Sequence, residues 1–387
     1  MLALTADRLV ARTEVVDHPL LLVEDGKILE VAAQTGRRVP AGAQALDFHG
    51  RWIAPGYIDL HIHGSGGYDV MDEAAAALAA LEHLLARHGV TSYYPTTVTA
   101  PVNQTLRALE RLADAIEARR RGSADAKGRA CPLGIHLEGP FLSHARRGVH
   151  PAENLLAPKI ETFERFWQAA RGHIRMMTIA PELDGATEVI AEVAGRGVCV
   201  SLGHSDADLA AAERGIAAGA RHATHTFNAM RPLDHRSPGI LGAVLTDHRV
   251  SADIIVDGVH LDPAIVKLFA EAKGRENTVL ITDATAATGM PDGRYRLGSL
   301  EVEVKDGRSM ANGRLAGSVL TMDRAVRNLA EFAAWPLDQA IAAATRNPAR
   351  IAGLAGKGVL APGADADFVV LNPAGEVERT FAGGVEC

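Results

Sequence analysis

Two textures alternate along the chain. Through its middle, apolar runs of four to seven residues recur, and most are followed by stretches whose apolar positions return at helical spacing. Eight such runs can be counted, at residues 57–61, 90–96, 133–138, 174–180, 198–202, 221–226, 250–256 and 279–282. Eight strands alternating with helices suffice to close a parallel barrel, so the pattern predicts an α/β fold with a (β/α)8 TIM-like barrel over residues 54–360. The clearest helix is 206–218 (DADLAAAERGIAA), with Ser205 in the capping position, Asp208 three residues on and Gly219 as the stop. The two ends read differently. LTADRLV, LLLVEDGKILEVA with Asp25-Gly26 as a hairpin turn, and ALDFHGRWIAPG open the chain; DFVVL and VERTFAGG, flanking Asn372-Pro373-Ala374-Gly375, close it. Residues 1–53 and 361–387 are expected to combine into one small β-sandwich domain beside the barrel.

Composition removes several function classes. Forty basic against 47 acidic residues give a formal charge of −7, and aromatics are 4%, so a basic face with stacking platforms is not expected and nucleic acid is not an expected partner. The three cysteines, Cys131, Cys199 and Cys387, have no CxxC spacing, which argues against a disulfide framework and a thiolate zinc site and favours a reducing cytoplasm. The first apolar stretch is broken by Asp7 and Arg8, and no apolar run approaches about eighteen residues, so neither a secretion leader nor a membrane span is expected.

The chemistry gathers at the ends of the runs. In YIDLHIH, residues Asp59, His61 and His63 project from one side of an extended chain. Glu138 ends the third run, His204 follows the fifth, His225 ends the sixth and Asp283 follows the eighth. His204 and His225 are 21 residues apart, one strand–helix unit, so both emerge on the same rim of neighbouring strands. That rim is the catalytic face of such barrels. Imidazoles with a carboxylate suit zinc, or another borderline ion such as iron(II), better than calcium or magnesium. With an uncommitted aspartate nearby the set reads as catalytic: a bound cation brings the pKa of its water from 15.7 to roughly 7, and Asp283 relays the proton.

HIHGSGG, HLEGPF, GHS, THTFNAM and TDA, in this order, resemble the amidohydrolase superfamily, and the resemblance runs over nearly the whole chain to the closing LAPGADADFVVL. HLEGPF with THTFNAM, followed by His235-Arg236-Ser237-Pro238-Gly239, is similar to a narrower group, the deacetylases of phosphorylated N-acetyl amino sugars. The resemblance implies one or two divalent ions per subunit. Glu138, His204 and His225 would hold the first, His61 and His63 are competent for a second, Glu138 bridges, and Asp283 acts as general base and then acid. It further implies substrate contacts at Val149, His150, Asn228, Ala229, Arg236, Asp257, Gly258, Val259, His260, Leu315, Ala316 and Gly317. Arg236 can grip a phosphate through two donors; His150 suits the acetamide carbonyl, where it joins Asp283 in catalysis, and His260 the sugar or phosphate. In such enzymes the Arg236 loop commonly serves the neighbouring subunit, implying a homodimer. The expected partner is a small phosphorylated amino sugar.

Blander roles fit other residues. His136 should point the same way as Glu138 and orient the cluster without ligating. Gly64, Gly66 and Gly67 lack a GxxxxGK[ST] context, so a tight turn is their expected use, not a phosphate cradle. Two other functions compete: a metal-dependent amidohydrolase acting on a different amide, and a non-catalytic interaction protein on the same scaffold, against which the intact ligand set speaks.

Overall fold

The structure, a computed structural model, describes residues 1–12, 14–73, 75–121 and 128–387. Every one of the eight apolar runs carries a strand: Tyr57–Ile62, Val90–Thr97, Ile135–Glu138, Ile174–Ile179, Cys199–Leu202, His222–Ala223, Ala252–Ile254 and Thr278–Leu280. They are buried along their whole length apart from Arg175 and Cys199, as strands covered on both faces must be. The first six pair in parallel in chain order, and so do the seventh and eighth.

Isolated backbone bonds span the two breaks in that ladder. Between the sixth and seventh strands Ala223 N–H donates to Ser251 O at 3.0 Å and Thr226 N–H to Asp253 O at 2.9 Å; between the eighth and first, Asp283 N–H donates to His61 O at 2.9 Å. Asp59 reinforces the last seam, accepting from Thr282 Oγ1 at 2.5 Å and from Thr282 N–H at 3.3 Å. The strands thus curve into a barrel-like parallel wall, with amphipathic helices outside it. The helix Met322–Phe332, for instance, buries Met322, Ala325, Val326 and Leu329, the i, i+3, i+4, i+7 stripe.

One helix starts later than the sequence suggests. It spans Leu209–Ala218, and its cap is Asp208, whose carboxylate accepts from Ala211 N–H at 2.8 Å. Ser205 is spent elsewhere, accepting from Ala207 N–H at 3.0 Å and donating to Glu182 at 2.7 Å.

The two termini do meet. Gln44–Pro55 pairs in parallel with Leu2–Val10 and antiparallel with Phe368–Leu371, so strands from both ends share one eight-stranded mixed sheet. Pairing through Gln44–Pro55 is continuous, so the two ends build one hydrogen-bonded sheet. Its LLLV run alternates between faces: Leu21 and Val23 join Leu4, Ile28, Phe48 and Phe368 in one cluster, while Leu20 and Leu22 pack with Ala3 in another.

A second β unit was not anticipated. Gly293–Leu297, Leu300–Lys305, Arg308–Ala311 and Arg314–Leu315 form an antiparallel meander after the eighth strand. Among the described residues no helix is long and apolar enough to cross a membrane, and the three cysteines are free.

Candidate active site

Strand ends bring the chemistry together, and the backbone bends sharply where it does so. His204, His225 and Asp283 have φ of 46°, 30° and 49°, left-handed values that cost a non-glycine residue energy unless its surroundings hold it. For His225 the holding group is Asp253, whose Oδ1 accepts the His225 N–H. The THTFNAM turn is then fixed by Asn228, whose N–H and side-chain amide both donate to His225 O, at 2.9 and 3.2 Å. In HLEGP, Gly139 is required at φ 80° because a Cβ there would lie 2.4 Å from Thr99 Oγ1.

Glu138 lies at the centre of the site. Its Oε1 is 3.2 Å from His204 Nε2 and 3.1 Å from His225 Nε2, and those two nitrogens are 3.1 Å apart. Its Oε2 faces the other pair, 3.3 Å from His63 Nε2 and 3.5 Å from His61 Nε2, with 3.1 Å between the two rings. Four ligands about 2.0–2.1 Å from a tetrahedral zinc lie about 3.3 Å from one another, so both trios have the edge lengths of a metal site. Asp283 Oδ1 lies 3.2 Å from His63 Nε2 and 3.6 Å from His61 Nε2. Every one of these residues is buried.

The protons divide the rings into two kinds. His63 Nδ1 donates to Thr96 O and His204 Nδ1 to Arg146 O, each at 3.0 Å, which leaves both Nε2 lone pairs for a cation. His150 is the reverse: its Nδ1 faces Thr99 Oγ1 at 2.8 Å and Thr99 N–H at 3.3 Å, and because a backbone N–H only donates, its proton sits on Nε2, 3.5 Å from Glu138 Oε2. It is therefore a donor aimed into the site and not a ligand. His136 donates from Nδ1 to Leu60 O at 3.1 Å, and its Nε2 accepts from Thr178 at 2.8 Å, so both nitrogens are used.

Charge in the cluster is balanced internally. Burial alone would raise Glu138, but the surrounding imidazoles, His61 foremost, hold it well below the carboxylate range. Asp283, likewise buried, is held at about 2 by His61, His63 and His225, and so stands ionised. Burial pushes His204 down to about 4. Against the same burial, Glu138 raises His225 to about 9, and Asp283 with Glu138 raises His63 well above its usual value. Each half of the cluster thus keeps a proton where a cation would displace one.

The cluster opens into a cavity of about 360 Å³. Of the residues singled out in the sequence, His63, Glu138, Val149, His150, His204, His225, Asn228, Ala229, His260, Asp283, Leu315 and Gly317 line it, and His61 lies buried beneath. Asp257 stands behind His260, accepting from its Nδ1 at 2.7 Å. Gly258, Val259 and the buried Ala316 are not on the wall, and Arg236 is exposed on its loop away from it. Gly66 and Gly67 donate to Thr288 O and Ala286 O, and Gly64 to Ala284 O, so that turn has no amides to offer a phosphate. The reading of the sequence missed Arg146, Leu297 and Arg314, which also line the cavity. For Arg314 the signal was present: the turn Asn312-Gly313, with φ of 50° and 73°, marks the hairpin that carries it.

A parallel barrel-like wall whose rim carries an acid-bridged histidine cluster defines a metal-site hydrolase. Residues 52–387 match the amidohydrolase family. The chain is 35% identical to N-acetylglucosamine-6-phosphate deacetylase of Lysinibacillus sphaericus, covering 94% of this chain and 91% of that one. It is 37% identical to N-acetylgalactosamine-6-phosphate deacetylase of Escherichia coli O157:H7, covering 98% of each. It superimposes on the crystal structure of N-acetyl-D-glucosamine-6-phosphate deacetylase from Mycobacterium smegmatis with a TM-score of 0.92 at 36% identity, over 100% of both chains. The chain belongs to the amidohydrolase family, and within it to the N-acetylglucosamine-6-phosphate deacetylases.

Proposed function

We propose that this enzyme hydrolyses the acetamide of N-acetylglucosamine-6-phosphate, giving glucosamine-6-phosphate and acetate. The observation that carries this reading is the Glu138 carboxylate set between two histidine pairs, with Asp283 facing the same point from the eighth strand. Glu138, His204 and His225 would hold a divalent cation, zinc in the first place and iron(II) as the alternative, and His61, His63 and Glu138 a second. Such a cation supplies Lewis acidity, polarising the acetyl carbonyl and bringing the pKa of a water from 15.7 toward about 7.

The remaining steps belong to the chain. Asp283, ionised, takes the proton of the attacking water as its oxygen bonds to the acetyl carbon. His150 donates from Nε2 to the acetyl oxygen as negative charge builds there. Asp283 then returns the proton to the departing sugar nitrogen, because an unprotonated amide anion is a very poor leaving group. The C–N bond breaks and Asp283 is ionised again.

We read the eight strands as a complete (β/α)8 barrel over residues 54–360, with residues 1–53 and 361–387 as its companion domain. A homodimer in the cytoplasm completes the reading, and the exposure of Arg236 away from its own cavity supports a role across a subunit boundary. The test is acetate release from N-acetylglucosamine-6-phosphate, N-acetylgalactosamine-6-phosphate and unphosphorylated N-acetylglucosamine, with metal measured on the same preparation. Preference for the gluco phosphate with one or two metals per chain is expected. Preference for the galacto phosphate, the substrate in the name of the Escherichia coli relative, would move the assignment to that sugar.

A further inference from the structure

The mechanism leaves an acid of the rim unused. Glu182 lies three residues beyond the fourth strand, Ile174–Ile179, which carries none of the residues gathered around Glu138. It is half-buried, and both of its carboxylate oxygens are occupied: Oε2 accepts from Ser205 Oγ at 2.7 Å and Oε1 from Asp206 N–H at 2.6 Å. Ser205 and Asp206 directly follow His204, whose φ of 46° persists only where the surroundings hold it. Ser205 N–H donates to Ala229 O at 3.0 Å and so ties the turn to the loop after the sixth strand, while Glu182 holds it from the side of the fourth.

The constraint reaches the ring as well as the backbone. Asp206, whose N–H Glu182 fixes, accepts from Arg146 Nε at 2.8 Å, and the carbonyl of that same Arg146 accepts from His204 Nδ1 at 3.0 Å. Ser143 N–H, from the same segment, donates to His204 O at 2.9 Å. A circuit of bonds therefore runs from Glu182 through Asp206 and Arg146 to the imidazole, and leaves its Nε2 lone pair facing Glu138. Glu182 itself does not line the cavity, so its influence there passes through the turn.

We propose that Glu182 is a positioning residue for His204: by gripping the Ser205-Asp206 turn it sets the left-handed backbone and, through Asp206 and Arg146, the ring orientation that presents Nε2 to a cation. This rests on the reading of Glu138, His204 and His225 as ligands of a divalent ion. Truncation of Glu182 to alanine removes both acceptors at once. The hydroxyl of Ser205, a fully buried residue, then loses the oxygen it donates to, and Asp206 loses the bond that aims its carboxylate at Arg146.

The experiment compares the full-length enzyme with Glu182→Ala and Glu182→Gln. It measures zinc affinity by competition with a chromophoric chelator, thermal melting of the metal-free proteins, and kcat at saturating zinc. Glu182→Ala should bind zinc about 10- to 100-fold more weakly, the loss usual when a group that orients a ligand from behind is removed, and excess zinc should restore most of kcat. Glu182→Gln should recover most of the affinity, because its amide oxygen can accept from Asp206 N–H and its N–H can donate to a lone pair of Ser205 Oγ. Zinc affinity of Glu182→Ala within about twofold of the unmutated enzyme overturns the proposal, whatever happens to melting. A Gln variant as weak as the Ala variant also overturns it, since the carboxylate would then act by its charge and not through the turn. If the unmutated enzyme binds no zinc in the competition, the ligand reading itself fails and the role of Glu182 fails with it.

Discussion

Replacing Asp253 with Leu tests whether the barrel wall, and not only the ligands, determines metal affinity. Both carboxylate oxygens of Asp253 are used: Oδ1 accepts the backbone N–H of His225, and Oδ2 lies 2.8 Å from His222 Nε2, which must donate because a carboxylate only accepts. His222 Nδ1 in turn meets Ser251 Oγ at 2.8 Å, and Asp253 and His222 are fully buried. A leucine of like size at 253 has no acceptor, so the buried His225 N–H is left without a partner, at about 1–3 kcal/mol. The left-handed turn that aims the ring at Glu138 thereby loses its support. Converted at 1.4 kcal/mol per decade, the metal should bind about 5- to 150-fold more weakly. The assay strips the metal, restores Zn2+ in competition with a chromophoric chelator, and records melting of the metal-free protein alongside. Zinc affinity unchanged within twofold, with melting lowered by several degrees, would show that Asp253 merely stabilises the wall and would refute the reasoning.

Three further outcomes follow from the site and its surroundings. Asp283→Asn should retain its metal while kcat falls by about 10²- to 10⁴-fold, and near-normal turnover in a metal-replete preparation would remove Asp283 from proton transfer. His150→Phe should likewise keep its metal, because the wild-type ring presents a proton and not a lone pair, yet lose about 10²- to 10³-fold in kcat; loss of metal instead would make His150 a ligand. Away from the site, burial lowers Lys273 from 10.5 to about 8, although its ammonium donates to Val244 O and Asp247 O. The folded protein therefore holds this proton less tightly than the unfolded chain, and stability should rise as pH increases from about 8 toward 10.5. Denaturant titrations of Lys273→Met across that range should lack this part of the slope, and an unchanged slope would contradict the assignment.

How far the sequence carried depended on what kind of signal each residue leaves. The barrel strands are covered on both faces, so most read as short runs rich in apolar residues, and even His222–Ala223, only two residues long in the polar stretch RHATHT, lay inside one of the eight runs. The metal-site residues were legible because they are rare side chains at strand ends, where the fold gathers them. The meander of 293–315 was not, although LEVEVK alternates and two hairpin turns punctuate it. Its strands follow the eighth run, where a closed barrel leaves no place for further β-structure, and Arg314 and Leu297 went unnoticed with it.

A residue's chemical type says what it can do, and its tautomer says what it does; the second is written in the main chain. His63, His150 and His204 are the same side chain, yet Thr96 O and Arg146 O turn two of them into lone-pair donors to a cation, while Thr99 N–H turns the third into a proton donor. No carbonyl or amide of the backbone has a sequence signature, so this division could not be read from HIH, GHS or the Val149-His150 pair. It also explains why a carboxylate stands at the centre. Glu138 can accept from His150 and, on its other oxygen, share a cation with His204 and His225. A third imidazole in its place could offer one lone pair, and would leave either the cation or the His150 proton without a partner.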